Sequence, residues 1–313
     1  MTKKCALIYN PKASGFKRKT SQHILEAIKE EGFFPIPIES TSASFLSNNI
    51  GALNEQFNII LTMGGDGTVS TAYEAFHQLD GNQKAIYGHI PAGTTNDMGP
   101  NTFVPRYNPV KATKKLLNGP VEHREIITIN NKPIAYVGAM GILAPVTYLI
   151  DKSNDKKDAG TFSYIRYGAY QLFTNPELYQ NIVKEPYQIT YETSDKKIRT
   201  KVIFIAIFNG RSFANLRINP RANMCDNNFE VAIVHKPSEL LPLLARSFFA
   251  PNGIMNANEQ NTFSTDYLKL TFENKTPYYP INCDGDPKEL LEGTNELEVK
   301  AAGKILQLTG RRK

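Results

Sequence analysis

Apolar residues in the first third of the chain fall into short runs separated by stretches with helical spacing. "CALIYN" at residues 5–10 is a buried-strand run that breaks at Asn10-Pro11, and Ile24, Leu25 and Ile28 then share one face of a helix predicted over about 20–31. The alternation continues with the strand "FFPIPIES", closed by "STSAS", a helix around residues 44–54, the strand "FNIILTM", a helix over about 69–79 and the strand "AIYGHIP". Strands and helices in turn predict a doubly wound, parallel α/β sheet, which binds ligands outside the carboxyl ends of its strands. From about residue 125 the pattern changes. "REIITINNKPIAYVGAM" reads as a hairpin turned at Asn130-Asn131, and "YQITYETSDKKIRTKVIFIAIFNG" as another turned near Ser194-Asp195. "NNFEVAIVHK", "TDYLKLTFEN" and "NELEVKAAGKILQLTG" add strands, with helices over about 162–173 and 240–249. Two domains are expected: residues 1–124, α/β with a doubly wound parallel sheet, and residues 125–313, a largely antiparallel β-sandwich.

Composition changes this picture little. A chain of 313 residues exceeds the usual size of one core, and 41% hydrophobic with 21% charged residues is a soluble globular mixture. No apolar run approaches the roughly 20 residues of a membrane span, and the start "MTKKCALIYNPKASG" is too short in apolar residues for a secretory leader, so a cytoplasmic location is expected. Cys5, Cys225 and Cys283 are an odd number at wide spacing, which predicts reduced thiols. A net charge of +6 suits phosphates, nucleic acid or an anionic membrane surface, and equally an ordinary lysine-rich solvated face. There is no internal repeat.

The candidate chemistry begins where the third strand ends, at Gly64, Gly65, Asp66, Gly67 and Thr68. A helix start presents unpaired N–H groups and partial positive charge, and glycines let a phosphate approach them. Asp66 suits a Mg²⁺-bound water, the metal itself or the loop's own hydrogen bonds. The same residues also suit a tight turn with positive φ and Asp66 as the N-cap. "YNPKASG" and "PAGTTNDMG" end the first and fourth strands, so three polar, glycine-containing turns should meet along one sheet edge. There is no G-x-x-x-x-G-K-[ST], no G-x-G-x-x-G in the first turn and no protein-kinase signature.

Together "NPKASG", "GGDGT" at residues 64–68 and "GTTND" at residues 93–97 resemble the three motifs of the diacylglycerol kinase catalytic-domain family, which includes bacterial soluble lipid kinases and is related to sphingosine, ceramide and, more distantly, NAD kinases. "INCDGDP" at residues 281–287 is similar to a late D-G-E element of the bacterial soluble enzymes, and the G-T-x-N-D form points to the lipid-kinase branch. The resemblance implies ATP-dependent phosphorylation of a lipid hydroxyl, diacylglycerol to phosphatidic acid first, with the nucleotide on the N-terminal domain and the lipid beside the β-rich one. It implies that Asn10, Ser14, Gly15, Thr41 with Ser40, Gly64, Gly65, Asp66, Gly67, Thr68, Val69, Ser70, Gly93, Thr94 and Asn96 hold the nucleotide. Asp66 and Asp97 would organise Mg²⁺, and Asp284, with Asp286 beside it, falls where a general base is expected. On its residues alone, Asp284-Gly285 equally suits a turn between strands. A structural-metal loop of the family reads "NMCDNNF" here, and the resemblance implies Asp226 as its side-chain metal ligand, with the carbonyls of Asn223 and Asn228 as partners.

The chain departs from the family pattern at Ser70 and Thr71, where Asn and Glu are usual, and at Asp286, one methylene shorter than the usual Glu; the acid expected at the start of the second domain appears as Glu125. Two alternatives stay open: a NAD kinase-like small-molecule kinase, and a degenerate nucleotide- or lipid-binding regulatory protein. Lys152, Lys156, Lys157 and Arg166 stand among Phe162, Tyr164, Tyr167, Tyr170 and Phe173, as in an interfacial helix with basic flanks or one packing its aromatics inward. The expected partner is a lipid at the inner face of the membrane, met by peripheral contact. No nucleic-acid motif is present, and the family likeness allows a homodimer.

Overall fold

The computed structural model describes residues 2–11, 16–42, 44–93, 96–141, 180, 183–213, 216–220, 222–249, 253–255, 261–274, 281–284, 286–288 and 294–311. Two compact units divide the chain: Met1–Ile126 with Gly303–Lys313, and Ile127–Ala302.

The first unit runs β1 (Lys4–Tyr9), α1 (Arg18–Glu30), β2 (Phe34–Glu39), α2 (Phe45–Gln56), β3 (Ile59–Gly64), α3 (Asp66–His77), β4 (Ile86–Pro91), α4 (Met98–Asn101) and α5 (Pro109–Leu117). Its strands lie in the order β2-β1-β3-β4, all parallel. The chain steps outward from β1 to β2 and then back past β1 to β3, so the right-handed crossover rule puts α1 on one face and α2 and α3 on the other. Packing agrees, since α1 meets α5 and α2 meets α3. On one face Cys5, Leu7, Ile59 and Leu61 pack with Ile24, Ile28, Ala112 and Leu116. On the other, the ring of Tyr87 touches Tyr73 and Phe76 at 6.3 and 5.1 Å. A sheet covered on both faces needs strands apolar throughout, which is why β1 and β3 read as continuous runs. The doubly wound α/β expectation holds.

Local signals set the helix ends. Asn108 caps α5 by accepting the Lys111 N–H at 3.0 Å, with Pro109 at the first helical position. Gly32 follows α1 at φ +83°, where a side chain would be strained. Helix α3 starts at Asp66, three residues before the apolar spacing predicts, so Gly67 and Thr68 lie inside its first turn.

The second unit is antiparallel, as expected. One sheet orders the strands Thr262–Thr265, Phe229–Val234, Phe204–Phe208, Val137–Gly141, Ile281–Cys283 and Asp286–Lys288. Another pairs Tyr267–Phe272 with Tyr187–Glu192, and that strand with Lys197–Val202. Tyr191 and Phe263, one from each sheet, stack with ring centroids 5.6 Å apart. The Asn130-Asn131 hairpin has φ of +47° and +62° at its two turn residues, the left-handed pair that matches strand twist. The second hairpin closes between Glu192 and Lys197.

The last strand, Glu296–Leu308, departs from the expected domain division. The strand pattern places residues 303–313 in the second domain, whereas they lie in the first unit. There Ile305 and Leu308 are buried, Tyr73 donates to Gln307 Oε1 at 2.8 Å, and Gln83 bonds both backbone groups of Leu306. The helix expected over 162–173 and the basic-aromatic residues around it lie outside the described residues. Among the described residues no helix is long and apolar enough to cross a membrane.

Candidate active site

Two of the three glycine-containing turns touch backbone to backbone. A Cβ on Gly93 would stand 2.4 Å from Gly65 Cα, and one on Gly64 would stand 2.2 Å from Thr68 Oγ1. Both glycines therefore serve close packing. Gly67 differs, since a Cβ there meets nothing within 4 Å among the described residues. None of Gly64, Gly65 and Gly67 has positive φ, so the tight-turn reading of the motif does not describe it. Nor is Asp66 the N-cap: Gly65 takes that position, and Asp66 Oδ1 instead accepts the Asp97 N–H at 2.8 Å, tying one turn to the other.

Where β1 and β3 end, a cavity of about 340 Å³ opens, lined among others by Tyr9, Asn10, Ser40, Thr62, Gly67 and Thr71. Gly65 and Thr68 line it as well, so the GGDGT turn forms one of its walls. Thr41 is not among the lining residues, whereas its neighbours Ser40 and Ser42 are. Val69 and Ser70 are buried at 0% and 5% exposure, and the Val69 amide already donates to the Gly65 carbonyl. They build the base of the helix rather than a surface for a ligand. Thr71 lines the cavity, its hydroxyl bonded at 3.0 Å to the Gly67 carbonyl.

Thr62, at the cavity floor, belongs to a buried polar cluster. Its hydroxyl lies 3.0 Å from the Tyr87 hydroxyl and 3.1 Å from His89 Nδ1. Burial pushes the His89 imidazole down to about 3, against a hydrogen bond with the Gly64 backbone, so it stays neutral at physiological pH. Sequence reasoning missed this cluster, although a histidine in an otherwise apolar strand was a signal to follow.

In the "GTTND" turn, Asn96 has φ +54° and works on its own loop. Its Oδ1 accepts the Gly93 N–H, and its Nδ2 donates to the Gly93 and Arg106 carbonyls, at 2.7, 2.7 and 3.0 Å. Asp97 is buried and accepts from Arg106 Nη2 at 3.2 Å. Arg106 carries no periodic or motif signal, which is why sequence reading did not find it. Ser14, Gly15, Thr94 and Gly285 lie outside the described residues.

In the second unit Asp284 sits at φ +53° and 2% exposure. Its carboxylate accepts three backbone N–H groups, from Ala135 at 2.7 Å, Tyr136 at 2.9 Å and Val137 at 3.0 Å. Asp286 opens the strand Asp286–Lys288. The loop at Asn223, Asp226 and Asn228 is closed on itself: the Asn223 carbonyl accepts the amides of Cys225 and Asp226, and Asp226 Oδ1 accepts that of Asn228. Among the described residues no group of three or more His, Cys, Asp or Glu side chains is placed to hold a metal.

The family model for the diacylglycerol kinase catalytic domain matches residues 4–129. Over those residues the chain is similar to that family. The stretch spans the cavity, the GGDGT turn and the Arg106–Asp97 pair. Over 296 residues the chain is 25% identical to the diacylglycerol kinase of Bacillus subtilis strain 168, covering 93% of this chain and 92% of the relative. It is 25% identical over 240 residues to the "Probable lipid kinase YegS" of Escherichia fergusonii, covering 75% and 74%. The crystal structure of a diacylglycerol kinase from Bacillus anthracis str. Sterne reaches a TM-score of 0.72 at 13% identity, over 98% of this chain and 97% of that one. A second structure from that organism reaches 0.77 at 16%, with the same coverage. At such identities the likeness speaks for the fold.

Proposed function

We propose that the chain transfers the terminal phosphoryl group of ATP to a lipid hydroxyl, with diacylglycerol the acceptor that the relatives' names suggest. The observation that carries this reading is the cavity of about 340 Å³ at the carboxyl ends of the parallel strands, walled by the start of α3. Hydroxyls of Ser40 and Thr68 and the first turn of a helix suit phosphate oxygens, through hydrogen bonds and the positive end of the helix dipole.

The Mg²⁺ that the family likeness implies fits the residues present. Asp66 is a carboxylate in the first turn of α3, flanked by two cavity-lining glycines, and Mg²⁺ takes one or two such carboxylates together with phosphate oxygens. When bound it would offset charge on the transferred group. For the proton acceptor we favour Asp286, because the Asp284 carboxylate already accepts three backbone N–H groups. Protonating Asp284 would disturb the hydrogen bonds that its carboxylate accepts from the Ala135, Tyr136 and Val137 amides. Access to the acceptor calls for peripheral contact with a lipid surface.

The test incubates the purified chain with labelled ATP, Mg²⁺ and vesicles of total lipid extract, with products identified by mass spectrometry. Phosphatidic acid should carry the label, and folded Asp66→Ala should yield none. Label on NAD or another soluble hydroxyl in the absence of lipid would move the chain to small-molecule kinases. ATP binding with no labelled product on any lipid would make it a nucleotide-binding regulatory protein.

A further inference from the structure

We infer that Arg106 is the positioning residue of this site, and that Asp97 acts on Asp66 through its backbone amide rather than by binding a divalent cation itself. The cation half of this inference rests on the kinase reading above. Asp97 is 2% exposed, and a carboxylate so buried is costly unless a counter-charge accompanies it. Arg106 Nη2 supplies that charge at 3.2 Å, from a side chain that is itself 12% exposed. Arg106 Nε is buried without a hydrogen-bond partner among the described residues, so this placement does not complete the guanidinium's own bonding. It serves the carboxylate.

The same arginine references the rest of the turn. Its carbonyl accepts Asn96 Nδ2 at 3.0 Å, and its Cγ and Cα face Gly99 so closely that a Cβ there would stand 3.3 and 3.4 Å away. Asn96, Asp97 and Gly99 are thus all held against one residue. What the turn then offers α3 is the Asp97 N–H, 2.8 Å from Asp66 Oδ1. Asn101 Nδ2 fixes the other side of the Asp97 backbone by donating to its carbonyl at 3.0 Å. A carboxylate engaged by a guanidinium is a poor cation ligand, because the metal must share or displace that partner. Asp66 opens α3 between two cavity-lining glycines, and its orientation depends on Arg106 through Asp97.

Arg106→Gln tests this with three readouts: hydrogen exchange of the Asp97 amide, the Mg²⁺ concentration giving half-maximal lipid labelling, and ATP affinity by equilibrium dialysis. Exchange and half-saturating Mg²⁺ should each rise about tenfold, the size of one weakened charge-assisted hydrogen bond, while ATP affinity stays within about threefold. A folded Arg106→Gln chain with unchanged exchange and unchanged Mg²⁺ dependence overturns the inference. If that variant does not fold, Arg106→Lys carries the test, since it keeps the charge and loses the planar fork. A change of about threefold in both readouts is then expected, and no change overturns the inference. If the wild-type chain labels no lipid while the Asp97 amide still responds to Arg106→Gln, the kinase reading fails and the positioning role of Arg106 stands.

Discussion

Asp284 and Glu230 show how differently two buried carboxyl groups of the second unit can be held. Asp284 gives both carboxylate oxygens to backbone N–H groups of Ala135, Tyr136 and Val137. An Asp-Gly turn residue that only shaped its turn would tolerate Asn, but here one acceptor oxygen would become an NH₂ facing backbone donors. Asp284→Asn should therefore lower stability by about 1–3 kcal/mol, measured by chemical denaturation, and a change within about 0.5 kcal/mol would remove the anchoring role. Glu230 is held by the Asn219 amide at 2.9 Å and by backbone hydrogen bonds at Glu230 and Gly210, which lower its pKa less than burial raises it. Burial raises its carboxyl to about 7, the Asn219 hydrogen bond pulls it down and the nearby Asp226 charge pushes it up again. The native state thus keeps a proton on Glu230 that the unfolded chain gives up. Its stabilising contribution is complete below 4.5, declines as pH rises and is gone above about 7, a loss on the order of 3 kcal/mol. Denaturation curves at pH 4.5 and 7.5 should show that decline, and Glu230→Gln should flatten it.

At the scale of the turn and the helix, glycines of similar appearance in the motifs separate into two kinds. Gly93 faces Gly65 Cα at a distance no side chain can share, so Gly93→Ala must push two backbones apart and should destabilise by several kcal/mol. Gly67 lies within the first turn of α3 and faces open space on the cavity wall. Gly67→Ala should leave the melting temperature unchanged or raise it, because Ala gains up to about 1 kcal/mol over Gly in a helix. If ATP binds at this wall as proposed, the same substitution should weaken its binding, measured by dialysis, because the methyl enters the space beside the helix's first N–H groups. Equal affinity in wild-type and Gly67→Ala chains would move the nucleotide away from this wall. The motif marked the place and left these two roles unseparated, since a contact between residues 65 and 93 leaves no trace in local spacing.

Over the whole molecule, the chain end belongs to the unit in which the chain begins. Ile305 and Leu308 are buried in the first unit, and Gln307 and Leu306 are bonded to Tyr73 and Gln83. Deleting residues 303–313 should therefore cost the first unit its cooperative unfolding transition and its ATP binding together. A truncated chain that still melts cooperatively with unchanged ATP affinity would show the return strand to be dispensable. Alternation of strands and helices, the hairpin at Asn130-Asn131 and the cap at Asn108 were all set by the sequence itself, because each rests on spacing or backbone preference within a few residues. So was the meeting of polar turns at one sheet edge, which follows from parallel strands ending in similar motifs. Tertiary structure alone decided that Asp97 pairs with Arg106, that Asp284 spends its oxygens on Ala135, Tyr136 and Val137, and that the last strand returns to the first unit. Those contacts join residues from nine to well over a hundred positions apart, with no periodicity between them, and only the folded chain brings their charges and amides within bonding distance.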